Sequence, residues 1–247
     1  MSDVLQPLVE LPGVREAADR ARDALAEVHR HKANRRGWPT TAAEAAVRAA
    51  RSSAAIDGGS TELPSDGRVA DPLLAGALRV GQALDGDTLR NLVAVWGRAP
   101  LQALARLHLL AAADLVTDQE QLGRPRSAPG VADRLDLLAQ TILTSSAPAP
   151  VLAAVVHGEL LALQPFGTAD GLVARAASRL VSVSSGLDPH NLGVPEVFWL
   201  RRRQAYLDAS AGFGSGTPEG VGGWVILCSG ALEDGAREAR SIADASV

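Results

Sequence analysis

The sequence predicts an all-α protein. Apolar residues recur every three or four positions along stretches rich in alanine and leucine, and alternating β-branched runs bounded by turn residues are nearly absent. Helix start signals recur along the chain. With 47% hydrophobic and 21% charged residues, the 247-residue chain can bury one sizeable core, which excludes wholesale disorder.

The periodicity predicts helices over residues 13–33, 41–56, 71–83, 87–97, 100–116, 129–143, 149–163, 171–184, 195–210, 220–232 and 233–244. Thr41 followed by Glu44 reads as a capping box that opens the second helix. Pro100 suits a first helical position, and Asp188-Pro189 marks a turn. Linkers are expected at Arg36-Gly37-Trp38-Pro39, Gly58 to Gly67, Gly123 to Gly130 and Gly212 to Gly223. None is long enough for an interdomain tether, and no internal repeat is visible. Residues 1–84 are expected to form an N-terminal helical segment and residues 85–247 the helical core, together one compact unit.

Several functions are excluded at this level. Lysine plus arginine number 24 against 28 aspartate plus glutamate, a net charge of -4, which argues against a nucleic-acid binder working through a broad basic face. One cysteine, Cys228, rules out an internal disulfide framework and a multi-cysteine zinc site, so the expected compartment is the cytoplasm. Met1 to Glu10 lacks a basic region leading into an apolar run, so no signal peptide is expected. No stretch approaches the roughly 18 apolar residues that span a bilayer. His29 and His31, two apart on a helix, point in different directions and make a poor metal pair. Arg201-Arg202-Arg203 fans around a helix axis as a solvated face. Gly212-Phe213-Gly214-Ser215-Gly216 lacks a preceding strand and the third glycine of a dinucleotide-binding loop.

The stretch that can carry chemistry is Val151 to Leu180, read as helix, short loop, helix. A residue before proline is pushed out of helical geometry, which ends the first helix near Gln164-Pro165. Phe166 can then turn inward as an anchor, Gly167 to Asp170 form a tight loop, and Gly171 opens a helix containing Arg175 and Arg179. Such a loop aims free N–H groups at one point, a ready anion site. The plain alternative is a helical hairpin with a capped second helix.

Gln164-Pro165-Phe166-Gly167-Thr168-Ala169-Asp170-Gly171-Leu172-Val173-Ala174-Arg175 resembles, without a gap, the Fic (Fido) family signature H-P-F-x-[DE]-G-N-G-R-x-x-R. Pro165, Phe166, Gly171 and Arg175 match it. His157 stands seven residues earlier, where many members also have histidine. Tyr206-Leu207 and Gly223-Trp224-Val225 to Leu232 are similar to the family's closing helices, and Leu122-Gly123-Arg124-Pro125-Arg126 to its target-holding flap. The resemblance covers roughly residues 85–235 and implies a Fic-like helical domain, with a small β-hairpin flap expected near 121–130. One class of the family carries an inhibitory helix with the pattern [ST]-x-x-x-E-[GN], whose glutamate pairs with the motif's last arginine. Ser53-Ala54-Ala55-Ile56-Asp57-Gly58 resembles it within helix 41–58, and an ordinary glycine-terminated helix reads the same way. Asp57 is a methylene shorter than the family's glutamate, which puts its reach to Arg175 in question.

The resemblance also implies chemistry, which this sequence departs from. The family's histidine base corresponds to Gln164, whose amide accepts no proton near neutral pH. The acidic metal ligand corresponds to Thr168 and the first phosphate-binding arginine to Leu172. Asp170 replaces an asparagine and places a carboxylate where a nucleotide phosphate would approach. It is expected to cap the second helix and to pair with Arg175 or Arg179. His157 lies about 10 Å along the helix from position 164, at 1.5 Å per residue, too far to replace that side chain. It reads as a buried, hydrogen-bonded structural histidine, and nothing ties Glu159 or Asp114 to the loop.

Three readings follow. The first is a Fic-fold pseudoenzyme that acts by binding a protein partner or in regulation, a second copy of the chain included, with ligand-site positions Phe166, Gly167, Thr168, Asp170, Gly171 and Arg175 and an inhibitory-like set Ser53, Asp57 and Gly58. It calls for no metal site and no cofactor. The second is a divergent transferase moving AMP or another phosphate-containing group onto a protein hydroxyl, which brings in ATP and Mg²⁺. The third is a helical protein of other ancestry, which would lack the helix-loop-helix at 151–180.

Overall fold

In the computed structural model, residues 3–65 and 67–246 are described. Met1, Ser2, Asp66 and Val247 lie outside them, and with them the first two residues of the N-terminal reading and one position of the Gly58 to Gly67 linker. The described residues form twelve α-helices and no strand. In chain order these are α1 (Gln6–Val9), α2 (Val14–Arg30), α3 (Asn34–Ile56), α4 (Pro72–Ala83), α5 (Gly86–Trp96), α6 (Pro100–Ala112), α7 (Val131–Thr144), α8 (Ala149–Leu163), α9 (Asp170–Ser184), α10 (Pro195–Arg201), α11 (Arg203–Gly214) and α12 (Pro218–Ala245). Among the described residues, no helix is long and apolar enough to cross a membrane.

The α8–α9 hairpin lies at the centre because of what it is made of. Every residue from Pro150 through Gly158 on α8 and from Leu172 through Ser182 on α9 is buried. A helix apolar on all sides has no face to offer water. One side of the hairpin packs into a cluster built from α4 to α9, with Leu74, Trp96, Leu107, Leu160 and Leu180 among its fully buried members. The other side packs Val151 and Ala154 against Val14, Trp199, Tyr206, Trp224 and Val225 of α2, α10, α11 and α12. Helix α3 reaches both clusters, placing Ala50 and Ala54 in the first and Ile56 in the second. That position brings its C-terminal end to the start of α9.

The observed helices depart from the sequence expectation in places. Helix α3 begins at Asn34, so Arg36-Gly37-Trp38-Pro39 is helical and Thr41 is not a cap. The Thr41 hydroxyl lies 2.8 Å from Asn34 Oδ1 and 3.1 Å from the Trp38 carbonyl, and Asn34 Nδ2 donates to Val28 O on α2. These side-chain bonds support the turn in which Pro39 lacks a donor. The helix expected at 195–210 divides at Arg202, whose backbone leaves helical geometry while its guanidinium lies 4.5 Å over the Phe198 ring. Residues 220–232 and 233–244 are one helix, α12, because Glu233 and Asp234 pair with Arg237 along it and continue the helical surface. The Gly212 to Gly223 linker shrinks to residues 215–217. Residues 121–130 form no strand: a short 3₁₀ turn, Gln119–Gln121, leads into an irregular segment that docks on the end of α8.

Candidate functional site

The loop between α8 and α9 is shaped by where backbone groups find partners. Helix α8 ends at Leu163, and Gln164 adopts the left-handed conformation, with φ +46° and its N–H donated to Leu160 O. The freed carbonyls at that end are taken by one residue of the 121–130 segment. Arg126 donates its backbone N–H to Pro165 O at 2.8 Å, Nε to Gln164 O at 2.7 Å and Nη2 to Leu163 O at 2.8 Å. A helix C-terminus needs such donors. The Gln164 side chain is exposed.

At the other end Ala169, also left-handed at φ +52°, caps α9, and Asp170 is its first residue. The Asp170 carboxylate turns back into the loop, accepting the Phe166 N–H at 3.0 Å and the Gly167 N–H at 2.8 Å. Burial pushes its pKa up, against the pull of those two N–H groups and of Arg126. The pairing expected with Arg175 or Arg179 does not form. Arg179 is held by both carboxylate oxygens of Glu196 and by Asn191 Oδ1, each at 2.7 Å.

Arg175 is 1% exposed and instead faces the end of α3. Its Nε donates to Ser53 Oγ at 2.7 Å, and Nη2 donates to Ser53 O at 3.0 Å and to Asp57 Oδ2 at 2.6 Å. The shorter acid therefore reaches. Burial, the largest influence, works against the guanidinium charge, but Asp57 and Tyr206 together outweigh it and the Arg175 pKa is raised. Asp57 is aimed by the way α3 ends. Gly58, at φ +93°, donates to Ala55 O and Gly59 to Ala54 O, the paired bonds that close a helix with a left-handed glycine. Arg203 Nε adds a bond to Ile56 O at 2.7 Å, so this member of the triple-arginine run is a tie between α11 and α3.

The structure brings Ser53, Asp57, Gly171 and Arg175 together, and Phe166, Gly167 and Asp170 beside them. Leu172 is 2% exposed inside the core and does not face the loop. Glu159 pairs with Arg134 and Asp114 with Arg79, so neither acid serves the site. His157 is fully buried, with Nε2 2.9 Å from Tyr206 OH. His29 and His31 diverge to Asp188 and Asp244.

Sequence reasoning missed His108 on α6. Its ring stacks on Phe166 with centroids 4.1 Å apart and planes at 6°. Nδ1 accepts the Gly123 N–H at 2.9 Å, which leaves the proton on Nε2 for Thr168 Oγ1 at 3.1 Å. In that tautomer His108 donates to Thr168 and is no base for it. Burial holds its pKa below the usual histidine value. The only signal in the sequence was a histidine on the same helical face as Leu104 and Ala111, four before and three after.

No family model matches the sequence, and no curated protein matches it. The fold matches the crystal structure of a Fic family protein from Desulfovibrio desulfuricans G20, with a TM-score of 0.71 over 93% of this chain and 74% of that chain, at 20% sequence identity. The chain has the Fic fold.

Proposed function

We propose that this chain is a Fic-fold protein without nucleotidyl-transfer activity, which acts by binding a protein partner. One observation carries the reading: the groups at the loop suited to an anion are already satisfied from within. The Phe166 and Gly167 N–H groups are taken by Asp170, and Arg175 by Asp57 and Ser53. An incoming phosphate would meet two carboxylates and would have to displace both.

The residues present do not fit Mg²⁺ and a nucleoside triphosphate. Thr168 offers a hydroxyl oxygen that already accepts from His108, and the loop's one acid is turned onto backbone N–H groups. Among the described residues, no group of three or more His, Cys, Asp or Glu is placed to hold a metal. Gln164 has no titratable group to deprotonate a target hydroxyl. Under this reading the chain works in the cytoplasm without a cofactor, and its partner is a protein, a second copy included.

The test is intact-mass measurement of the chain and of lysate proteins after incubation with each nucleoside triphosphate and Mg²⁺ or Mn²⁺. No added nucleotidyl mass is expected. An added mass abolished by Arg175→Ala would overturn the reading in favour of a divergent transferase.

A further inference from the structure

The chain has one tyrosine, and the fold buries it between the site and a box of aromatic rings. Tyr206 on α11 is 2% exposed. Its hydroxyl lies 3.3 Å from Arg175 Nη1 on one side and 2.9 Å from His157 Nε2 on the other. His157 in turn meets Trp199 and Trp224 edge-on, at centroid distances of 4.7 and 5.0 Å, and both indoles lie 5.6 Å from the Tyr206 ring. In a chain with 3% aromatic residues, this gathering sits directly behind the arginine that Asp57 holds.

The Tyr206 hydroxyl has a polar neighbour on each side. Arg175 has only donors, so the tyrosine oxygen accepts from it, and the arrangement that also uses the single hydroxyl hydrogen directs it at His157 Nε2. In that arrangement His157 is a neutral imidazole with its proton on Nδ1, an atom that finds no partner in its buried surroundings. Burial and the charge of Arg175 both hold it in the neutral form. Asp57, Arg175, Tyr206 and His157 thus form one chain of hydrogen bonds, running from a quarter-exposed carboxylate to a fully buried ring.

We propose that Tyr206 is a positioning residue for Arg175, and that its hydroxyl couples the Asp57–Arg175 ion pair to His157. The bond to Tyr206 holds Nη1 away from the loop, so Nη2 is the nitrogen presented to Asp57 and Ser53. A change at Asp57 alters the charge that Arg175 shares with Tyr206, and the hydroxyl passes it to the imidazole. This rests on the reading of Asp57 as the group that closes the site. Its test uses neither nucleotide nor partner, so it fails or stands apart from the question of transfer.

The experiment is nitrogen NMR of the His157 imidazole in the full-length chain. The wild type is expected to carry the proton on Nδ1 with a bare Nε2. Asp57→Asn, a change at a partly exposed position, is expected to shift the Nε2 resonance, while Asp114→Asn, which disrupts the separate pair with Arg79, leaves it in place. In a Tyr206→Phe background the position-57 shift is expected to vanish. A wild-type His157 protonated on Nε2, an unchanged resonance in Asp57→Asn, or a shift that persists undiminished without the hydroxyl would each overturn the proposal. Should Tyr206→Phe fail to fold, the wild-type tautomer and the Asp57→Asn shift decide between the same two results.

Discussion

The Asp57 carboxylate occupies the space that a side chain on Gly171 would need: a Cβ there would lie 2.6 Å from Oδ2 and 2.7 Å from Oδ1. The residue that follows α3 and the second residue of α9 are fitted against each other across 114 positions of sequence, from 57 to 171. The fit makes the absence of a Cβ at 171 a condition for the ion pair with Arg175.

Gly171→Ala should therefore destabilise the chain by about 1–3 kcal/mol, although alanine in a helix gains roughly 0.5–1 kcal/mol over glycine. In an Asp57→Ala background the same substitution should cost nothing. Urea denaturation of the four chains checks this, and an equal cost in both backgrounds would separate Gly171 from Asp57.

Asp170→Asn leaves one carbonyl oxygen where two carboxylate oxygens accepted N–H groups. Sulfate should then stabilise the variant and not the wild type, by about 1.4 kcal/mol at tenfold over Kd. Thermal unfolding at rising sulfate, with chloride matching ionic strength, measures it.

Burial holds both buried histidines of the site region, His108 and His157, below the usual histidine range. A group with a depressed folded pKa leaves the unfolded chain binding more protons, so its stabilising contribution is present above the unfolded value and is lost as pH falls below it. Stability should fall as pH drops from 7 towards 5, by up to about 1.4 kcal/mol per pH unit for each histidine that stays neutral. Denaturant midpoints across that range should show the slope, reduced in His157→Gln.

Replacing His108 by alanine removes the stack on Phe166 and the bonds to Thr168 and Gly123 together. The expected cost is about 2–4 kcal/mol, and the Gly123 amide should exchange with solvent much faster. Hydrogen exchange followed by NMR reads both the amide and the spread of the effect into 164–170.

Most helices were legible because their apolar periodicity is strong, and the Gln164 to Arg175 loop was legible because proline and glycine dictate its backbone. Pro39 inside α3 and the unbroken α12 were not, since side-chain bonds to Asn34 and the Glu233, Asp234 and Arg237 pairs override local breaking signals. The proximity of Ser53 and Asp57 to Arg175 was readable only through resemblance. The sequence shows His108 only as a residue on an apolar helical face and Tyr206 only as part of a family-like closing helix: their roles come from helices that meet in space, which spacing along one helix does not encode.

The loop's N–H groups and Arg175 are satisfied from within. The most direct measurement is an amide NMR titration of the wild-type chain with ATP and Mg²⁺, following Phe166, Gly167 and the Arg175 side chain. No saturable shift is expected at any of the three. Saturable shifts at the Phe166 and Gly167 amides, lost in Arg175→Ala, would contradict the account.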